Sequence, residues 1–282
     1  MQKYLSLIAF SHTIFALPFA LVGFAIGTKY AGFSIEKLVA VLLCMTFARS
    51  AAMAFNRYID RDIDALNPRT AVREIPSGAV SAQNALFLVV FCSFGLICTT
   101  YFINPLCFYL SPIALLVTLG YSLTKRFTAL CHVVLGAGLS LAPIGAYMAV
   151  TGSGAELLPW AFSVVVLLWV AGFDIIYALQ DEDFDKSVAL NSIPVWLGKK
   201  NALRLSNVVH LACAIIMGCI AYFSGLGWLN GVGVLCFFGL LLYQHTLVSP
   251  TDLSRVNRAF FTTNGIASVV YGCFALADIY FL

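Results

Sequence analysis

Polar residues are sparse along this chain and fall mainly where long apolar runs end. Apolar stretches cover approximately residues 5–28, 35–59, 81–101, 103–122, 128–150, 157–180, 203–224, 227–248 and 257–281. Each is near the roughly 20 residues a helix needs to cross the hydrocarbon core of a bilayer. The pattern predicts an all-α, polytopic membrane protein with nine transmembrane helices in a bundle, read as a single domain over 1–282. The breaks carry turn chemistry: Asn104-Pro105 separates the third run from the fourth, Gly152-Ser153-Gly154 the fifth from the sixth, and Gly225-Leu226-Gly227 the seventh from the eighth. Pro18, Pro112 and Pro143 fall within spans, where a kink is tolerated if neighbouring groups satisfy the freed backbone. Leu5 to Gly27 is long and lacks a clear cleavage site, so it reads as the first span rather than a signal peptide.

Composition agrees with this reading. Of 282 residues, 61% are hydrophobic and 10% charged, against roughly 45–50% and about 25% in a soluble domain. That excludes a soluble globular enzyme, and nine spans leave no room for a large extramembrane domain. The net charge of +3, from 16 Lys and Arg against 13 Asp and Glu, gives nucleic-acid binding no support. Placement matters more than the total. Arg57, Arg61, Arg69, Arg73, Lys125, Arg126, Lys186, Lys199, Lys200, Arg204, Arg255 and Arg258 lie in or beside the connections after spans two, four, six and eight, and Lys3 joins them. Lys29 and Lys37 alone mark the other side, and Arg49 lies within a span. Thirteen against two puts the N-terminus and the charged loops in the cytoplasm, and an odd number of spans puts the C-terminus outside. All nine cysteines stand singly in or beside apolar runs and read as small core residues.

Some charges do not suit a membrane. Asn56, Asp60 and Asp64 stand at i, i+4 and i+8 at the end of the second span, within about 80° on one helix face. The sixth span ends with Asp174, Tyr177, Asp181 and Asp185, again at helical spacing. Clustered carboxylates are costly unless cations bind them, and hard oxygen ligands suit Mg²⁺ shared with substrate phosphates. Two such stripes on one side of the membrane could hold metal ions on a diphosphate. The bland alternative is that these aspartates are solvated or paired with nearby arginines. Basic loops follow on the same side: Asn67-Pro68-Arg69-Thr70-Ala71-Val72-Arg73, and Tyr121-Ser122-Leu123-Thr124-Lys125-Arg126. Arg73, Lys125 and Arg126 are the preferred diphosphate binders, unless they act only as topology determinants. Each acidic stripe ends an even-numbered span, so an internal duplication is open, which enzymes and transporters share.

The segment Asn56-x3-Asp60-x3-Asp64 followed by Arg69-Thr70-x2-Arg73, together with Asp174-x2-Tyr177-x3-Asp181-x3-Asp185, resembles the UbiA superfamily of membrane prenyltransferases. The likeness covers essentially the whole chain, including the Tyr121 to Arg126 loop and Asn191-Ser192-Ile193-Pro194. It implies a helical bundle around a central cavity and an opening to lipid for an isoprenoid tail. It also implies two Mg²⁺ held by Asn56, Asp60, Asp64, Asp181 and Asp185. The implied reaction joins a polyprenyl diphosphate to an aromatic acid, 4-hydroxybenzoate or a dihydroxynaphthoate, in respiratory quinone synthesis at a bacterial-type inner membrane. Asp60, Asp64, Asp181 and Asp185 are the expected catalytic acids. Asp174 would position the acceptor or assist proton removal, and Tyr121 and Tyr177 join Arg73, Lys125 and Arg126 as substrate contacts. Many 4-hydroxybenzoate enzymes carry Asp immediately after the motif asparagine, where this chain has Arg57. The stretches 54–60 and 172–181 look more like the branch linked to menaquinone synthesis by the futalosine route. Homogentisate and haem are other acceptors within the superfamily.

Arg49 lies about 18 Å along the second span from Lys37 and needs a reason for its burial. It is expected to pair with the acceptor's carboxylate, the alternative being an internal ion pair, for instance with Asp174. His12, His132, His210 and His245 form no ligand pattern and read as buried structural histidines. Phe10, Phe15 and Phe19 could line a tail groove or stabilise a carbocation, though helix contacts explain them as well. Asn264 could close the site or bond a neighbouring helix. The competitor from another class is a cation-coupled transporter, which would place its acids near the midplane.

Overall fold

The computed structural model describes residues 2–7 and 14–282, and every regular element among them is helical. In chain order these are α1 (Gln2–Leu7), α2 (Leu17–Ala31), α3 (Ile35–Ile59), α4 (Arg61–Leu66), α5 (Ala82–Ile103), α6 (Pro105–Thr124), α7 (Cys131–Thr151), α8 (Leu157–Ala178), α9 (Glu182–Ser187), α10 (Ile193–Phe223), α11 (Trp228–Thr246) and α12 (Asn264–Phe281). A 3₁₀ turn, Leu179–Asp181, joins α8 to α9, and a π-helical turn, Arg258–Thr263, leads into α12.

Eight of these segments are long and apolar enough to cross a membrane. The first expected span departs from that pattern. Over 5–28 the described residues form the end of α1 and the start of α2, and α2 has 15 residues, about 22 Å of helix against a core of about 30 Å. Pro18 sits in the first turn of α2, where its missing N–H leaves no gap, so it starts a helix instead of kinking one. Pro112 and Pro143 do lie inside α6 and α7. The seventh span begins ten residues before the expected 203, because Ser192 caps Ile193–Phe223 by accepting from Val195 N and Pro194 enters its first turn. Gly198, at φ 73°, breaks that helix near its start.

The caps follow the sequence closely. Ser34, Ser81 and Asn104 each accept a hydrogen bond from the third residue of the helix they precede, and left-handed Gly152 ends α7. Helix α8 runs through the core, with Phe162, Val165, Val166, Trp169 and Val170 at 0% exposure. It packs on α7 and α10, while α2 lies along α7. These contacts are backbone-close: a Cβ on Gly136 would stand 2.5 Å from the Leu167 carbonyl oxygen, and one on Gly23 2.0 Å from that of Pro143. Phe15 and Phe19 belong to this aromatic core, which favours helix contact over the tail groove; Phe10 and His12 lie outside the described residues. Asn264 accepts from the Trp169 indole at 2.8 Å and donates to the carbonyls of Ala259 and Phe260 in the π turn. It therefore bonds a neighbouring helix and satisfies backbone that the π turn displaces.

The outer surface carries Phe87, Val90, Phe94, Phe102, Leu116 and Tyr222, a lipid-facing belt that with the eight spans makes this an integral membrane protein. The cysteines are all free thiols, but they are not all core residues: Cys92, Cys131 and Cys213 are buried, while Cys219 and Cys273 are exposed on this belt. Apolar helix surface in lipid needs no burial, which is why the expectation fails there.

Candidate active site

Both acidic stripes end in a break followed by a short helix. The first is interrupted at Asp60, which closes α3 and opens α4, although the Asp64 amide still donates to the Asp60 carbonyl at 2.7 Å. The second passes through the 3₁₀ turn, so Asp181 opens α9 and Asp185 lies one turn further on. Asp64, Asp181 and Asp185 are buried, Asp185 completely.

Four ion pairs connect these acids to the two basic loops. Arg73 Nη1 reaches Asp64 at 2.7 Å, and Arg69 grips Asp181 with two parallel bonds of 3.0 and 2.6 Å. Lys125 Nζ lies 2.8 Å from Asp185, and Arg126 Nη2 lies 3.0 Å from Asp60. Each basic loop thus sends one residue to each stripe. Lys125 and Arg126 are consecutive, so they draw the stripes to the two sides of one short turn. The Asn191 amide donates to the Lys125 carbonyl at 2.8 Å, tying the segment after α9 to the same turn. Loop 67–73 is anchored by the buried Thr70 hydroxyl on the Asp64 carbonyl and by Asn67, which accepts from the Arg69 amide and donates to Asp181.

Electrostatics match this arrangement. Burial pushes the Asp60 carboxyl above its ordinary range, against the hydrogen bond from Arg126. Burial draws Arg69 down, but the Asp181 carboxylate outweighs it and the guanidinium is held above its usual value. Asp185 is completely buried, with the Lys125 ammonium at 2.8 Å and the Ser192 hydroxyl beside it, and burial pushes its carboxyl above the ordinary range against both. Asn56 donates to Asp60 at 3.2 Å, so it stands with the first stripe as its spacing predicted. The Tyr177 hydroxyl accepts from Arg69 at 3.2 Å, and its ring packs on Phe260 with centroids 4.2 Å apart.

Behind this end lies an apolar cavity of about 420 Å³ between α3, α5, α6 and α7. Its α3 wall runs from Val41 to Met53, about 18 Å. Arg49 and Tyr121 both line it. Arg49 forms no ion pair among the described residues and its buried Nε has no hydrogen-bond partner. The alternative pairing with Asp174 is not formed, because Asp174 Oδ2 is held by His132 Nδ1 at 2.7 Å. His132 and His210 are buried and hydrogen-bonded, in keeping with structural histidines, while His245, which meets His210 at 2.8 Å, is only partly buried. Arg57 turns from the acids to Glu74 at 3.6 Å.

The donor set fits divalent metal in its chemistry: four aspartates and an asparagine, all hard oxygen ligands. As paired here, no three carboxylate, histidine or cysteine groups among the described residues converge on a point. Metal would therefore exchange with the arginines and lysine. Arg69 was not among the preferred binders, yet it makes the tightest link between the stripes. Its sequence signal was present, since Arg69 and Arg73 stand one helical turn apart, but only the fold reveals that they serve different acids.

Membrane-crossing helices with opposed acidic and basic groups gathered at one end of an apolar cavity define an integral membrane protein built around an internal amphipathic binding cleft. Residues 16–266 match the UbiA prenyltransferase family, and the chain belongs to that family. A UbiA homolog from Aeropyrum pernix K1, solved in its apo form, is 35% identical and superposes with a TM-score of 0.87 over 95% of this chain and 98% of that one. A UbiA homolog from Archaeoglobus fulgidus, solved with DMAPP and Mg²⁺, shares the fold at 22% identity and TM-score 0.77, over 99% of this chain and 100% of that one. The 4-hydroxybenzoate octaprenyltransferase of Aliivibrio fischeri (strain ATCC 700601 / ES114) is 31% identical over 83% of this chain and 81% of its own length.

Proposed function

We propose that this protein is a Mg²⁺-dependent polyprenyltransferase, acting as one domain, that moves a prenyl group from its diphosphate to an aromatic carboxylic acid. The observation that carries this reading is the placement of four acid–base pairs at one end of an apolar cavity whose wall holds Arg49, which has no ion pair among the described residues. A coupled transporter fits poorly, since these acids sit at helix ends rather than near mid-membrane.

Asn56, Asp60, Asp64, Asp181 and Asp185 would hold the metal. Bound there, Mg²⁺ supplies positive charge to the departing diphosphate. Arg69, Arg73, Lys125 and Arg126, leaving their carboxylate partners, bind diphosphate oxygens by charge-assisted hydrogen bonds. The cavity walls keep water from the allylic cation left by C–O cleavage. Arg49 and Tyr121 take the acceptor's polar groups, Arg49 its carboxylate, which aims the ring toward the acidic end. Tyr177 braces Arg69. Asp174 accepts the ring proton after the new carbon–carbon bond has formed. The acceptor is of the 4-hydroxybenzoate type named for the bacterial relatives, or the dihydroxynaphthoate suggested by 54–60 and 172–181. The reaction serves quinone synthesis at a bacterial-type inner membrane, with the acidic end facing the cytoplasm.

The test is an assay of purified protein with a polyprenyl diphosphate, Mg²⁺ and, in parallel, 4-hydroxybenzoate or 1,4-dihydroxy-6-naphthoate, the product being identified by mass. A prenylated acid is expected from one of them. Product from neither, with the diphosphate left intact, refutes the reading.

A further inference from the structure

Asp174 differs from Asp181 and Asp185 of its motif in having a histidine for a partner. His132, at the start of α7, is 3% exposed, and its Nδ1 lies 2.7 Å from Asp174 Oδ2. The Ile193 backbone N–H donates to the other ring nitrogen, Nε2, at 3.3 Å. A nitrogen that accepts an N–H carries no proton in a neutral imidazole, so the proton of His132 sits on Nδ1 and is donated to Asp174. One oxygen of Asp174 is thereby fixed, and the other has no hydrogen bond among the described residues.

That second oxygen has somewhere to go. Over 171–178 only Asp174, Tyr177 and Ala178 escape burial, and they share one helix face with Asp181. Tyr177 and Asp181 are the two groups Arg69 contacts, so the accessible part of Asp174, 20% of its side chain, lies on the side of α8 that leads to them, below the acidic end and not in the wall of the cavity itself. Asp174 lies seven residues, about 10 Å, inside Asp181, and Arg49 lies about 10 Å inside Asn56. Leu135, one turn beyond His132 on α7, lines the cavity. A ring held at the depth of Arg49 would present its reacting carbon near the level of Asp174. Asp60, Asp64, Asp181 and Asp185 cannot serve as proton acceptor there, since each is committed to a cation.

We infer that His132 is a positioning residue for the proposed transfer: its Nδ1–H holds one oxygen of Asp174 and turns the free oxygen toward the acceptor ring. The inference rests on the function proposed above. The C–O pair leaves with diphosphate, and a ring π pair then attacks the resulting allylic cation to form the carbon–carbon bond. The ring carbon then gives its proton to Asp174, the C–H pair restores aromaticity, and the proton passes to water at the mouth of the site.

The experiment uses the acceptor found active above, deuterated at the ring carbon that is attacked. Wild type should show no primary isotope effect, because proton loss follows the slow C–O cleavage. His132→Leu should lower kcat by about tenfold or more, leave both KM values nearly unchanged, and expose a primary isotope effect. Asp174→Asn, whose amide oxygen still accepts from His132, should expose the same effect and covers the case in which His132→Leu fails to fold. His132→Asn, whose side-chain N–H replaces Nδ1–H, should recover most of the lost rate. Wild-type rates in both His132→Leu and Asp174→Asn overturn the inference, as does a lost rate without an isotope effect. Absence of any prenylated product from the wild type overturns the function itself, and this inference with it.

Discussion

The two acidic motifs end their helices by the same device and differ in how far each is shut from water. In the first, a single residue, Asp60, interrupts the helix, and its side chain keeps 23% exposure beside Arg126 at 34%. In the second, a full 3₁₀ turn intervenes, Asp185 keeps 1%, and Asp181 is clamped by two bonds from Arg69. Asp60 is the open lip of the site, while Asp64, buried like Asp181 and Asp185, belongs to its floor. Because each basic loop serves both motifs, the two are coupled through these loops. In this arrangement the cations that would hold a diphosphate pair with the acids that would hold its metal. Such a site stores its charges in balance, avoiding the cost of unpaired ions near a bilayer.

The strongest test of this asymmetry compares alanine substitutions. Asp185→Ala and Asp60→Ala should each abolish turnover, measured as prenylated product, because each removes a hard oxygen ligand. Only Asp185→Ala should also lower thermal stability in detergent, by about 1–2 kcal/mol as Lys125 loses its buried partner; Asp60→Ala should cost less than about 1 kcal/mol. Equal stability losses would erase the distinction between lip and floor. Chelation is a second large effect: EDTA should abolish turnover and Mg²⁺ restore it, and full activity in the chelator would remove metal from the site. Arg69→Ala and Arg73→Ala should each raise the KM for prenyl diphosphate about tenfold, one charge-assisted bond being lost. Arg49→Ala should raise the acceptor's KM with little change for the diphosphate; unchanged acceptor kinetics would leave Arg49 without its assigned role. The smallest effect belongs to the Arg57–Glu74 pair beside the lip, where Glu74→Gln should shift stability by no more than about 1 kcal/mol and leave kcat unchanged.

The apolar runs alone determined that this is a helical membrane protein, because a bilayer demands about 20 consecutive apolar residues whatever the neighbours are. Helical spacing likewise placed Asn56, Asp60 and Asp64 together, and Asp181 with Asp185, since residues one turn apart share a face in any helix. The sequence also carried the helix starts at Ser34, Ser81 and Asn104, whose side chains bond amides only three residues away. Periodicity could not foresee the breaks at Asp60 and at 179–181, which depend on what the last turn packs against. Nor could it assign partners. Arg69 meets Asp181 across 112 residues and His132 meets Asp174 across 42, while Arg57, beside the motif asparagine, faces away. Local spacing sets which face of a helix a charge occupies, but the counterion of a buried charge is whichever group tertiary packing brings within about 3 Å, and many arrangements of nine apolar runs leave the local pattern unchanged.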